Sequence, residues 1–195
     1  MGTRPLPLSF YRDRDALQAA RDLLGHALVT TIDGIRTAGL ITETEAYMGV
    51  VDKASHAFAG RRTARNEMMY ADGGVAYVYL CYGIHHLFNV VVHRREVPHA
   101  VLIRAIHPLD GQQAMLKRRG AKSLATGGPG TLSQALGIHT QHNGERLTGH
   151  RIRIEDHGFA VAPDRIITGP RIGVDHAGED ALLPYRFRIA PSHLP

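Results

Sequence analysis

The sequence predicts a single domain that contains antiparallel strand pairs and a few short helices. Three observations lead there. The chain has 195 residues, 44% of them hydrophobic, with no low-complexity tract, linker or repeat, so one well-buried core is available and no boundary for a second is visible. Two tight-turn signals, Asp33-Gly34 and Gly83, each separate a pair of strand-like runs, and strands joined so closely run antiparallel. Apolar residues recur at helical spacing in only a few short stretches. Residues 1–195 are read as one domain.

After an irregular lead, Leu17, Ala20, Leu23 and Leu24 fall at helical spacing within Asp13–Leu24, and Gly25 stops that helix. His26–Thr31 and Ile35–Tyr47 read as a hairpin across Asp33-Gly34. Met48–Asp72 is less regular and holds the basic cluster Arg61-Arg62-Thr63-Ala64-Arg65-Asn66, a pattern more often found on a solvated loop than at a site. Val75–Tyr82 and Ile84–Val92 are apolar strands joined at Gly83, with Tyr82 at the tip. Ala100–Ile106 is a nearly continuous apolar strand interrupted by Arg104; a buried arginine needs a carboxylate or another polar partner, and Glu43 and Glu45 are candidates. Pro108 predicts a turn and Gly111–Arg119 an amphipathic helix. Gly127-Gly-Pro-Gly-Thr-Leu132 predicts a loop ahead of a second helix that ends at Gly137. The tail alternates short strands, Arg151–Glu155 and Arg186–Ile189, around the turn Gly169-Pro-Arg-Ile-Gly-Val174.

Composition excludes several classes. A single cysteine, Cys81, rules out an internal disulfide framework and a Cys-x-x-Cys motif, so a reducing compartment is expected. The start of the chain has no apolar core for a leader, and no run approaches a membrane span, which predicts an intracellular protein without membrane partners. The loop at Gly127 lacks the Gly-Lys-Ser or Gly-Lys-Thr of a nucleotide-hydrolysing motif. Thirteen histidines include His85-His86, but neither His-Glu-x-x-His nor a Cys-His zinc spacing occurs, and neither metal nor cofactor is expected. The formal charge is +5, and of 23 basic residues only Lys53, Lys117 and Lys122 are lysines. Arginine suits bidentate contact with phosphate, so a polyanionic partner is favoured, although a GC-rich coding bias would give the same composition.

The stretch that carries chemistry is Ile41–Tyr47. In an extended chain, side chains alternate, so Glu43, Glu45 and Tyr47 share one face, while Thr42, Thr44 and Ala46 share the other. Two carboxylates and a ring on one face suit a catalytic reading, though a surface strand could carry them for solubility alone.

In order and spacing, Thr42-Glu-Thr-Glu-Ala-Tyr47, Ser55-His56, Arg61-Arg-Thr-Ala-Arg-Asn66, Tyr77-Val-Tyr-Leu-Cys-Tyr-Gly83, Asn89, Val101-Leu-Ile-Arg104, Gly128-Pro-Gly130 and Pro170-Arg-Ile-Gly173 resemble the alkyladenine (3-methyladenine) DNA glycosylase family of base-excision repair. The resemblance runs from about Leu17 to Ile189. It implies a single α+β domain, a curved, mostly antiparallel sheet with flanking helices and a projecting, DNA-inserting hairpin. It also implies excision of alkylated purines from duplex DNA by base flipping, with deaminated purines a further class, by a monomer in the cytoplasm at the nucleoid or, in a eukaryote, in the nucleus. The resemblance makes Glu45 the general base for a water that Arg104 and the main-chain carbonyl of Ile172 help to hold. Tyr47, His56 and Tyr79 would sandwich the extruded base, Asn89 would screen the 2-amino edge of guanine, and Tyr82 would fill the gap in the stack. Arg61, Thr63 and Arg65 fall in a segment near the DNA backbone.

Two departures stand out: Thr131 follows Gly130 where many relatives carry Lys or Arg, and His85 stands where some carry Tyr. With water as nucleophile and no lysine on the strands that carry the pocket, the enzyme is expected to leave an intact abasic site. Two other readings stay open. A glycoside hydrolase could use Glu43 and Glu45, since i, i+2 on a strand gives about 6.5 Å, within reach of the separations such enzymes use, but the chain has no Trp for a sugar platform. A non-catalytic nucleic-acid-binding module explains the arginines and tyrosines but not Glu45 beside Arg104.

Overall fold

The structure is a computed structural model that describes residues 3–194. In chain order the elements are strand β1 (Arg4–Pro5), helices α1 (Leu8–Arg12) and α2 (Ala16–Asp22), strands β2 (Ala27–Ile32), β3 (Ile35–Tyr47), β4 (Ala76–Cys81), β5 (His85–Val92) and β6 (His99–Asp110), helices α3 (Gln112–Arg119) and α4 (Pro129–Leu136), and strands β7 (Ile152–Asp156), β8 (Ile166–Gly169) and β9 (Arg186–Ile189). The strands form one sheet in the order β1-β7-β2-β3-β6-β5-β4, and every ladder is antiparallel. β3 is the hub. Along one edge it pairs with β6; along the other, its first half pairs with β2 and its second half with β9, which in turn pairs with β8. The result is the curled antiparallel sheet of an α+β fold, as expected.

Local chemistry explains the joints. Asp33 and Gly34 both have positive φ, 55° and 73°, the signs that a two-residue primed turn requires, and Ile32 pairs with Ile35 across it. The Asp15 side chain accepts the Gln18 N–H at 2.8 Å, so α2 begins at Ala16 rather than at Asp13. Alternation along the strands then divides the sheet into two faces. On one, Ala46 of β3, Val78 of β4, Phe88 and Val90 of β5, and Val101 and Ile103 of β6 join Ala20, Leu23, Leu132 and Leu136 of the helical layer in the main core. The intervening residues of the same strands, among them Glu45, Tyr77, Tyr79, Asn89 and Arg104, line the opposite face.

Some expectations are corrected. Pro108 does not turn the chain: β6 runs through it to Asp110, opposite Gly39, at a register shift. A proline fits there because β6 has left β5 behind and pairs only with β3, at a bulge where a missing N–H disrupts no regular ladder. The irregular lead holds β1 and α1, the tail holds the unpredicted β8, and α3 fully buries only Met115. The glycine-rich loop is shorter than expected because α4 starts at Pro129. Among the described residues no helix is long and apolar enough to cross a membrane.

Candidate active site

The second face of the sheet forms the floor of a cleft of about 580 Å³, with Tyr77, Tyr79 and Cys81 from β4, Leu87 and Asn89 from β5, Ala100, Leu102 and Arg104 from β6, and Tyr47 from the end of β3. Two irregular segments wall it, one carrying Ala54, His56 and Arg65 and the other Ile172, Gly173, Val174 and His176; Tyr82 and His85 stand at the hairpin rim.

Glu45 is fully buried beneath this cleft. Its Oε1 accepts the Ile172 N–H at 2.8 Å and lies 3.3 Å from Arg104 Nη1, while its Oε2 accepts the Tyr47 hydroxyl at 2.9 Å. The Ile172 amide and the Arg104 cation both lie on Oε1, whereas Oε2 accepts from the Tyr47 hydroxyl and keeps one of its two acceptor positions free. Burial raises the Glu45 pKa above the ordinary carboxylate value, opposed by Arg104, the Ile172 amide and the Tyr47 hydroxyl. Glu43 lies on the same face as its parity requires, but is held by two guanidiniums, Arg104 Nε at 3.2 Å and Arg186 Nη1 at 2.9 Å. The opposite parity is equally firm: the Thr44 hydroxyl is buried on the helical side, donating to the Ala20 carbonyl at 2.7 Å.

The rings cluster tightly. His56 and Tyr79 meet edge to face at 4.7 Å, Tyr77 and Tyr79 are 5.3 Å apart, and His56 Nδ1 is hydrogen-bonded to the Tyr77 hydroxyl at 2.8 Å. Partial burial, then Arg65, His176 and Arg61, lower the His56 pKa, which keeps the imidazole neutral at neutral pH. Burial raises the pKa of Tyr47 and Tyr79, and pushes that of Tyr77 up to about 12. Asn89 Nδ2 donates to the Tyr77 carbonyl at 3.1 Å across the β4–β5 ladder, which fixes its side chain in the floor.

Tyr82 is 90% exposed and has φ 51°, followed by Gly83 at 74°. Positive φ is natural for the glycine but costs a tyrosine on the order of 1–2 kcal/mol. Arg61 and Arg65 are exposed; Arg65 donates to the Leu80 carbonyl at 3.0 Å and lies over the Tyr79 ring at 5.4 Å. The Thr63 hydroxyl is committed locally, to Asn66 Oδ1 at 3.1 Å. Thr131, the departure noted above, caps α4 by accepting the Gly128 N–H at 3.1 Å and donating to the Gly128 carbonyl.

All the expected site residues except the exposed Arg61 and Thr63 therefore line the cleft or touch a residue that does. For Ile172 the observed contact with Glu45 is through its amide. Sequence reasoning gave no role to Arg171, which is buried against Asp52 in a two-point ion pair beside the site. No spacing rule joins residues so far apart in the chain. The signals were a charge in an otherwise apolar turn and its place inside the motif Pro170-Arg-Ile-Gly173.

Residues 9–193 match the family model described as methylpurine-DNA glycosylase. Three relatives carry the provisional name 3-methyladenine DNA glycosylase. The Chlamydia felis protein is 49% identical over 188 residues, covering 94% of this chain and 95% of its own length. The Bacillus subtilis protein is 45% identical over 187 residues, covering 95% and 93%. The Desulfitobacterium hafniense protein is 41% identical over 193 residues, covering 94% of each.

Proposed function

The chain belongs to the methylpurine-DNA glycosylase family, and from that premise we propose that it excises alkylated purines from duplex DNA by flipping the base into the cleft and attacking C1′ with water. The observation that carries this reading is Glu45: a buried carboxylate with one free acceptor position beneath an aromatic cleft. A duplex hides the glycosidic bond, so the nucleotide must leave the stack. Tyr47, Tyr79 and His56 offer rings to the extruded base. A cationic alkylpurine is drawn to neutral rings, and His56 stays neutral because its pKa is lowered. The fixed Asn89 side chain would screen out a purine with a 2-amino group, and Tyr82 would take the place of the flipped base.

In the chemical step, the water oxygen bonds to C1′ as the C1′–N9 bond breaks. The bonding pair goes to the purine, which leaves neutral if it entered as a cation, and the water proton goes to Glu45 Oε2. Arg104 and the Ile172 carbonyl would steady that water. The raised proton affinity of Glu45 suits a base. No acid is needed for a charged lesion. Among the described residues no lysine lines the cleft, so no amine is placed to form a Schiff base, and the product would be an intact abasic site. The enzyme would act as a monomer, without cofactor, where genomic DNA lies. Glu43, pinned by two arginines, is poorly placed to donate a proton, which counts against a glycoside hydrolase built on the pair.

Glu45→Gln keeps the shape of the side chain and one of its two acceptor oxygens, but not its capacity to take a proton. Release of methylated purines from methylated duplex DNA should fall on the order of 10² to 10⁴ with lesion binding retained. Excision within a few-fold of the parent refutes the assignment.

A further inference from the structure

Asp52 and Arg171 take no part in the chemistry described above, yet their side chains are only 1% and 0% exposed, the most buried ion pair among the described residues. Arg171 Nη1 lies 2.5 Å from Asp52 Oδ2 and Nη2 lies 2.8 Å from Oδ1, a parallel two-point contact. The same guanidinium donates to the Ala46 carbonyl at 2.9 Å and the Asp180 carbonyl at 3.1 Å. It lies between the rings of Tyr47 and Tyr185, at 4.9 and 5.2 Å from their centroids. Asp52 is itself held, accepting the N–H groups of Met48 and Ala54, each at 3.0 Å. One side chain thus fastens the end of β3 to the segment that walls the cleft.

The next residue, Ile172, is half exposed and is followed by Gly173 at φ 74°. Its own side chain has little packing with which to locate its backbone, yet its amide sits 2.8 Å from Glu45 Oε1. We propose that Asp52 and Arg171 are positioning residues that hold the Ile172 amide on Glu45 Oε1 and thereby leave Oε2 as the atom that takes the proton of the attacking water. The proposal rests on the reading of Glu45 as the general base.

Without that amide the carboxylate loses one of the two hydrogen-bond donors to its charged form, so it protonates at higher pH. The charged and titratable groups facing Glu45 are Arg104 from β6, Glu43 and Tyr47 from β3, Tyr79 from β4 and Arg171 from the wall segment. Of these, the Asp52 substitution changes none.

The test is the pH profile of single-turnover excision on a methylated duplex, for the parent, Asp52→Asn and Arg171→Lys, with Glu45→Gln as reference. The acid limb should move to higher pH in both variants. A shift of about one unit appears as an approximately tenfold deficit at the acid end that closes at alkaline pH. A uniform loss at every pH means a merely structural pair and overturns the proposal. So does a limb that moves in Asp52→Asn but not in Arg171→Lys, which would assign the effect to charge rather than position. If Glu45→Gln excises at the parent rate, the reading of the base fails instead. Should the variants not fold, amide exchange at Ile172 in the parent protein decides. Exchange about a hundredfold slower than an open peptide is expected, and exchange at the open-peptide rate overturns the proposal.

Discussion

At the residue scale, Glu45, the proposed general base, is kept at the expense of stability. Its raised pKa means that the folded protein binds this proton more tightly than the unfolded chain does. Its contribution to stability is therefore full below the unfolded value and is lost as the pH rises through the folded one, each unit of separation being worth about 1.4 kcal/mol. Glu45→Gln removes that titration. Thermal midpoints measured from acid to neutral pH should show the variant gaining on the parent as pH rises, and a constant difference would contradict this. Tyr82 makes a similar sacrifice in its backbone. Positive φ with almost no side-chain contact gives the fold nothing in return, so Tyr82→Gly should raise the unfolding midpoint, by a free energy on the order of 1 kcal/mol. The same variant should weaken the fluorescence rise of a 2-aminopurine placed beside a lesion. A destabilised variant with an unchanged signal would mean that the ring is structural.

At the element scale, the β4–β5 hairpin is braced by the start of α4. A Cβ built on Gly130 would lie 2.8 Å from His85 Nδ1 and 3.0 Å from its Cβ, so this contact tolerates no side chain without moving the hairpin base. Gly130→Val should reduce lesion binding on the order of tenfold while leaving the sheet intact, read by titration of a lesion duplex alongside circular dichroism. Binding equal to the parent would show the brace to be loose. Elements of this size were the legible part of the sequence. Asp33-Gly34 and Gly83 gave both hairpins, because each requires a backbone that few other residues adopt, and period-two alternation put Glu43 and Glu45 on the face where Arg104 was seeking a partner. What escaped was decided by distant neighbours. Pro108 signals a turn unless the strand beside it bulges. The five residues of α1 and the four of β8 are too short to show a period. Arg171 is matched by an aspartate that only folding brings near.

At the scale of the whole molecule, the arginine excess changes meaning. Ten of the twenty arginines pair with carboxylates of the same chain, including Arg12, Arg36, Arg62 and Arg153, so much of the apparent phosphate-binding capacity is used internally. Affinity for undamaged duplex should still fall with salt, but with a log–log slope of only a few units, well short of what twenty guanidiniums facing phosphate would give. A slope near zero would remove the electrostatic contribution, and one near ten would mean that the internal pairs open on DNA. The two faces of β3 carry a last consequence, for how such an enzyme can change over generations. Thr44 and Ala46 belong to the core and Glu45 to the cleft, so inserting or deleting one residue in this strand would bury the hydroxyl side where the acid belongs and turn the acid into the helices. The proposed reaction would thus be inherited with the fold as a unit. On the proposed reading, insertions that change which bases are accepted would be tolerated best where the cleft is built from loops, around His56, at the turn holding Ile172 and at the hairpin tip.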